Sequence, residues 1–409
     1  MEKLSYNKLI PLSMQHALAM FGGSILIPLI MGIDVSTAFL MNGIGTIIYI
    51  IITQGKSPAF LGSSGAFLAP TLLISSLYGI EYAISGFFFV GVLAIIFSVI
   101  IYYKNKYYEN VNILDIVLPP ASMGIIVSLI GLDLIKYTTA PGKLGVDLND
   151  TKQVIVFLIT LVVAIIGTVF FKGFYKTIAI LISIIIGYIS SVYFGLVSIN
   201  QFDYANLIYI PKFYHIKFSI KAILIMLPVV FVSISEHISH QVVTSSVIGR
   251  DLLKDPGLHK TLFADNFSTV LSSLIGGPAT TTYAENIGVM AISKVYDYRV
   301  LVGASIFSIM FAFIKPMQDL ISSIPGAVIG GVTFILYGMI AISGIRIIVD
   351  RKVDYSNSKN LILSSVVLVT GLSNLKLNVF GVSYTGMLLA SLVAIVLGIV
   401  FYVLEKIFE

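Results

Sequence analysis

The chain has 409 residues, 57% of them hydrophobic and only 11% charged, against about 25% charged in soluble domains. It reads as a polytopic membrane protein and not as a soluble enzyme with an anchor. It has no cysteine, which excludes disulfides and thiolate metal sites, and its net charge of +5 reads as loop bias rather than a nucleic-acid footprint.

Residues 1–10 lack the basic start and cleavage site of a signal peptide, so the first span is expected to stay. A helical span needs about 20 apolar residues. Fourteen stretches are candidates. In the first half they are roughly 10–31, 35–54, 59–78, 82–103, 112–135, 153–171 and 174–197. In the second they are 219–243, 259–276, 280–294, 299–320, 325–348, 360–376 and 382–404. The longest polar connections are 137–152, 200–217 and 250–260, none long enough for a soluble domain. An even number of spans puts both termini on one side. Most of the 25 Lys and Arg fall on that side, so both termini are expected in the cytoplasm. The charge runs at 104–106, 250–260 and 346–359 then become cytoplasmic loops.

Fourteen divides into seven plus seven, and an odd repeat unit forces inverted topology. The third stretch opens P-A-F-L-G-S-S-G-A-F-L-A-P, residues 58–70, and the tenth opens G-G-P-A-T-T-T-Y-A-E-N-I-G, residues 276–288. Both are interrupted by Gly and Pro, rich in small residues, and short. Such interruptions at matching positions of two halves point to a midplane transport site. Extended backbone at that depth must pair with protein or line a cavity. The two pieces are therefore expected to pair as short antiparallel strands, each feeding a half-helix whose N-terminal amides face the cavity. The structural alternative is a pair of kinked packing helices.

Two intramembrane carboxylates stand out. Glu236 lies deep in the eighth stretch, where insertion scales put its cost at about 2.5–3.5 kcal/mol, so it should face an interior or a wet cavity. His240 is one turn later on the same face, and the two can share a proton. The structural alternative is a polar cluster that holds the bundle together. Glu236, His237 and His240 also raise a metal reading, but the order E-H-x-x-H is not the zinc-protease H-E-x-x-H, and no metal is expected. Glu285 can accept two hydrogen bonds when ionised and donate one when protonated, which suits an amide or imide edge. Asn286 adds a two-faced amide beside it. Asp265, in the ninth stretch, could support either Glu or sit at a helix end. Gln15 and His16 form a further polar pair that supports the site or touches substrate. Tyr283 and Tyr337 read as packing or gate residues ahead of ligands.

These pieces resemble the nucleobase–ascorbate transporter family, in its uracil-transporting bacterial branch. The similar motifs run nearly end to end: I-P-L-S-M-Q-H at 10–16, N-G-I-G-T at 42–46, L-G-S-S at 61–64, L-P-P-A-S-M-G at 118–124, S-E-H-I-S-H at 235–240, D-P-G-L-H at 255–259 and E-N-I-G-V-M-A-I-S-K at 285–294. The resemblance implies an all-α membrane fold of fourteen spans in two inverted repeats, with short strands in spans 3 and 10. It implies a core domain (residues 1–110 and 218–322) and a gate domain (111–217 and 323–409). Glu236 and Glu285 would hydrogen-bond the base, and His240 would tune Glu236. The backbone at Gly65 and Ala284 would meet the ring edge, with Ser64 and Tyr283 beside it. It further implies proton symport with no other cofactor, a bacterial cytoplasmic membrane, lipid contacts and a homodimer through the gate domains. Three residues depart from the family pattern: Gly65 stands where a Phe is usual, Ala284 where a Gly is usual, and Ser293 in place of the signature Thr. Asp265 is more similar to the purine branch. A proton-coupled uracil importer is the first expectation, and a xanthine or other purine symporter the second. An intramembrane metal-dependent enzyme and a channel are the readings from other classes.

Overall fold

Apolar runs set by bilayer thickness become helices, because a backbone without water must satisfy its own polar groups. The structure is a computed structural model that describes residues 5–107, 119–139, 145–197, 207–379 and 382–408. Residues 112–118 of the fifth stretch, 140–144 and 200–206 of two polar connections, and the side chains at 104–106 lie outside the described residues.

Each of the fourteen stretches holds a helix. In chain order these are α1 (Tyr6–Met31), α2 (Val35–Ile52), α3 (Leu68–Leu77), α4 (Ile80–Tyr107), α5 (Pro120–Leu134), α6 (Thr151–Phe170) and α7 (Ala179–Tyr193). The second half has α8 (Ile220–Met226) and α9 (Val229–Ile248), which together form one run broken at Pro228, then α10 (Leu258–Leu274), α11 (Ala284–Ser293) and α12 (Tyr298–Ala312). A short α13 (Lys315–Ser322) leads to α14 (Gly326–Asp350), α15 (Ser358–Leu372) and α16 (Gly386–Phe408). Among the described residues, eight helices are long and apolar enough to cross a membrane by length and composition. This is a multi-pass membrane protein.

The eleventh stretch ends earlier than the sequence suggests. Its helix stops at Ala312, and α13 starts separately at Lys315. Pro316 has no N–H to continue the ladder and sits instead in the first turn of α13. The freed backbone pairs with the connection before α8: Tyr209 N donates to Phe313 O (2.9 Å), and Lys315 N to Leu207 O (3.0 Å). A second unforeseen feature is the hairpin β3 (Lys376–Val379) and β4 (Val382–Thr385) ahead of α16.

Asp34, in the α1–α2 turn, ties this pairing down. Its carboxylate is 8% exposed. It accepts from Thr37 N (3.2 Å), Tyr209 OH (3.1 Å), Lys212 N (2.9 Å) and Gln318 Nε2 (3.1 Å). Burial and then the Asp34 carboxylate hold the Tyr209 phenol above its ordinary value, so it stays a donor. Asp34→Ala leaves these donors without their shared acceptor, at roughly 1–3 kcal/mol for a buried group. A clear fall in melting temperature of the purified protein is expected; an unchanged value would show the cluster to be dispensable.

The helices pack in two sets. In one, α10 lies on α4 and α2, and α12 on α2 and α1. In the other, α14 lies on α5 and α6, α6 on α7, and α15 on α16 and α5. The site lies between the two sets.

Candidate functional site

The interrupted pieces pair as strands. β1 (Leu61–Ser63) runs antiparallel to β2 (Thr280–Thr282), with Leu61 opposite Thr282, Gly62 opposite Thr281 and Ser63 opposite Thr280. The ladder extends at both ends: Tyr283 N donates to Phe60 O (2.9 Å), and Ser64 N to Ala279 O (2.9 Å). A two-stranded ribbon also has outer edges to satisfy. One threonine serves each. Leu61 N donates to Thr46 Oγ1 on α2 (2.8 Å), which returns a longer bond to Leu61 O (3.5 Å). Thr280 N donates to Thr269 Oγ1 on α10 (3.0 Å), which donates to Thr280 O (2.9 Å). Neither threonine stands out among the sequence candidates; the signal was N-G-I-G-T at 42–46 beside D-N-F-S-T at 265–269.

Each strand turns into a helix at its end. Ser64 and Tyr283 are the N-cap residues, both extended and neither making a side-chain capping bond. The first amides of helices 65–77 and 284–293 therefore lack side-chain caps, and such amides favour an anion or a carbonyl oxygen.

A cavity of about 1590 Å³ starts at these two tips. Gly65, Ala66, Glu236, His240, Ala284 and Gly288 line its inner end. Arg346, Asp350 and Arg351 line its far end, where the Arg346 and Asp350 side chains are exposed. A chamber of about 190 Å³ lies against it, lined by Ser63, Gly65, Glu236, His240, Thr282, Tyr283, Ala284 and Glu285. Ile178, Leu181, Leu336 and Ile340, from the second helix set, wall this chamber. No sequence signal marked these four, since they are apolar residues in or beside apolar helices.

Glu236 and Glu285 thus reach one chamber from α9 and the start of α11. Ser64 Oγ lies 3.4 Å from Glu236 Oε2. The hydrogen bond of the His240 ring goes to Thr282 Oγ1 (3.0 Å), tying α9 to β2. Tyr283 lines the chamber, but its hydroxyl donates to Ser63 O (3.0 Å) and its ring covers Gly62. A Cβ at Gly62 would overlap that ring. Gly62→Ala must shift a strand or the tyrosine, an overpacking of about 1–3 kcal/mol. A lower melting temperature together with weakened substrate binding is expected, and normal values for both would place the strand pair outside the site.

Asn286 turns away from the chamber. Its Nδ2 bonds the His16 ring Nδ1 (3.1 Å) and the His16 carbonyl (3.1 Å), tying α11 to α1. His16 is a supporting residue in this sense. Gln15 is half-buried and lines neither cavity.

Two expectations need correction. Asp265 does not support either Glu directly. Its Oδ2 lies 2.9 Å from His237 Nδ1, with both side chains buried. The alignment is poor for a hydrogen bond, and Asp265 Oδ1 has no partner among the described residues. The reason is helical geometry: His237 is one residue past Glu236, about 100° around the helix, and so faces α10. Tyr337 is not at the site either. It is fully buried and lines neither cavity, while its carbonyl lies against Gly131 of α5. His237 faces Asp265 and His240 faces Thr282, and among the described residues no group of three His, Asp or Glu could hold an ion.

The profile of a permease family, Xan_ur_permease, matches residues 7–380. The chain belongs to this family, the nucleobase–ascorbate transporters. Its members are transporters and not enzymes. The uracil permease of Paenibacillus larvae is 42% identical over 99% of this chain and 96% of its own. The uracil permease of Escherichia coli K12 is 43% identical over 96% and 91%, and that of Bacillus subtilis 168 is 39% identical over 95% and 91%. Among solved structures, the transmembrane domain of a cyanobacterial bicarbonate transporter, BicA, superposes with TM-score 0.63 at 15% identity, covering 97% of this chain and 99% of that one. The murine Slc26a9 anion transporter in its inward-facing state gives TM-score 0.70 at 9% identity, covering 99% and 69%. These two share the fold with this chain.

Proposed function

We propose that this protein is a proton-coupled uracil importer working by alternating access. The observation that carries the reading is the convergence of Glu236, Glu285 and two uncapped helix starts on one chamber. Uracil offers a C(=O)–N(H)–C(=O) edge. An ionised carboxylate accepts from its N–H, and a protonated one donates to a carbonyl. Glu285 and the amides at 65 and 284 bind the base, and Glu236 carries the coupling proton, with His240 and Thr282 holding its surroundings. The near relatives named uracil permeases support the choice of base.

The core comprises residues 1–110 and 218–322, and the gate 111–217 and 323–409. The two packing sets support this division. Thr46 and Thr269 hold β1 and β2 in the same way from spans 2 and 9, which supports two inverted repeats of seven spans. With both termini in the cytoplasm of a bacterial inner membrane, the larger cavity faces inward. Core-against-gate motion would move the chamber from one face to the other, with dimers formed through the gates.

The test is labelled uracil uptake into proteoliposomes, with and without an inside-alkaline pH gradient. Accumulation that needs the gradient is expected. Uptake that only equilibrates in both conditions would remove proton coupling, and no uracil uptake in either would remove the base.

A further inference from the structure

Two of the chain's crossings between the helix sets meet on one face of the protein. Residues 207–217 lead from α7 of the second set to α8 of the first, and residues 313–325 lead from α12 of the first set to α14 of the second. Because α14 starts beside this meeting point and ends at Asp350, in the mouth of the larger cavity, the crossings meet on the face opposite that mouth. Surface connections are ordinarily the more mobile parts of a fold, yet both of these are tied down. Ile208 stands opposite Ile314. The Asp34 carboxylate accepts three bonds from the crossings, two from Tyr209 OH and Lys212 N on one and the third from Gln318 Nε2 on the other. Thr37 Oγ1 donates to Lys212 O (2.6 Å), and Ser36 Oγ to Gln318 Oε1 (3.0 Å). Farther along, a Cβ on Gly276 would overlap the Tyr214 backbone, so the first crossing runs directly over the turn after α10. Lys217 N then donates to Glu81 O at the start of α4 (3.2 Å). All these anchors belong to the first helix set. Among the described residues, the hydrogen bonds and ion pairs of 207–217 stay within that set and the other crossing. The second set holds the crossings by one hydroxyl pair, Tyr188 OH and Ser323 Oγ, at 2.8 Å.

We infer that the two crossings form a fixed clasp: residues 207–217 and 313–318 stay paired with each other and seated on the first helix set while the second set moves. This rests on the alternating-access reading above. The change of partner then falls within α13, between Gln318 and Ser323. A hydrogen bond to a charged acceptor is about twice as strong as one between neutral groups, so the end held by a single hydroxyl pair gives and the end on Asp34 does not. Opening the chamber towards the clasp's face must therefore separate other contacts between the sets. α1 and α7 form such a seam, where a Cβ at Gly22 would lie 3.3 Å from Ile180 Cβ. Both residues line the chamber.

The chain has no cysteine, so an introduced pair forms the one possible disulfide within it. Positions 208 and 314 are a non-hydrogen-bonded pair, since the bonds run from Tyr209 N to Phe313 O and from Lys315 N to Leu207 O. Such pairs have Cα atoms about 4.5 Å apart, within the span of a disulfide. Ile208→Cys with Ile314→Cys bridges the clasp, and Gly22→Cys with Ile180→Cys bridges the seam. Labelled uracil uptake into proteoliposomes is compared between the oxidised and reduced forms of each protein, so a slower reduced carrier does not enter. The oxidised clasp pair should transport within about twofold of its reduced form, and the oxidised seam pair should fall to background. Arrest by the clasp bridge overturns the inference, as does failure of that pair to oxidise or transport through an oxidised seam bridge. Amide hydrogen exchange reads the clasp without transport. Peptides covering 207–217 and 313–318 should exchange slowly in wild type and faster together, by roughly tenfold or more, in Asp34→Ala. Free exchange of 207–217 in wild type, or loosening of only one segment in Asp34→Ala, overturns the inference. If wild type takes up no uracil, the functional reading fails by itself, and amide exchange decides the clasp.

Discussion

Glu236→Gln is expected to bind uracil within about tenfold of wild type and to lose gradient-driven accumulation completely. Glutamine keeps the shape of the protonated acid and its ability to donate and accept, but it cannot ionise. If the protonated form binds the base, the variant is locked in that form. A locked carrier still exchanges labelled for unlabelled uracil across the membrane, because exchange needs no change of protonation. It cannot use a proton gradient, because no proton leaves on the inner side. Uptake assays with and without the gradient, beside a counterflow assay, separate the two activities. Full gradient-driven accumulation in Glu236→Gln would move the coupling proton to another group. The neighbourhood supports the choice: the carboxylate meets the Ser64 hydroxyl at 3.4 Å, and among the described residues no Lys or Arg lines the chamber.

Glu285→Ala is expected to weaken uracil binding by roughly 10–100-fold. A hydrogen bond to a charged group contributes about 1.5–3 kcal/mol, and the imide N–H is the one donor on the edge that the carboxylate reads. That energy corresponds to about one to two powers of ten in Kd. Glu285 sits in the first turn of α11, where the free amides favour a side-chain anion by about 0.3–1 kcal/mol, so its removal should lower stability by no more than about that amount. Titration calorimetry on the purified protein gives the Kd, and its melting curve without ligand gives the stability. Glu285→Gln keeps one acceptor and should fall between. Wild-type affinity in Glu285→Ala would place the base elsewhere in the cavity.

Much of this is legible in the amino-acid sequence. Hydrophobic run length is set by the bilayer, so the helix positions follow from apolar content. Interruption by Gly and Pro is equally local, and it marks residues 58–70 and 276–288 as a pair. A carboxylate in an apolar run is costly enough to be a signal by itself, and that singles out Glu236 and Glu285.

Other features depend on which helix lies beside which, and no local pattern carries that. Asp265 reads as a spare acid near two glutamates until the rotation of α9 points His237 at it. Tyr337 reads as a packing or a gate residue until its burial against α5 decides for packing. Thr46 and Thr269 are ordinary threonines until a strand edge needs a donor and an acceptor in one hydroxyl. The pairing of 207–209 with 313–315 and its anchor on Asp34 join segments more than a hundred residues apart. The amino-acid sequence by itself determined a membrane transporter with two broken spans and two intramembrane acids, because charge and unpaired backbone are costly anywhere within a bilayer. Only the tertiary structure decided which side chains meet in the chamber, because partner choice depends on helix rotation and packing across the whole chain.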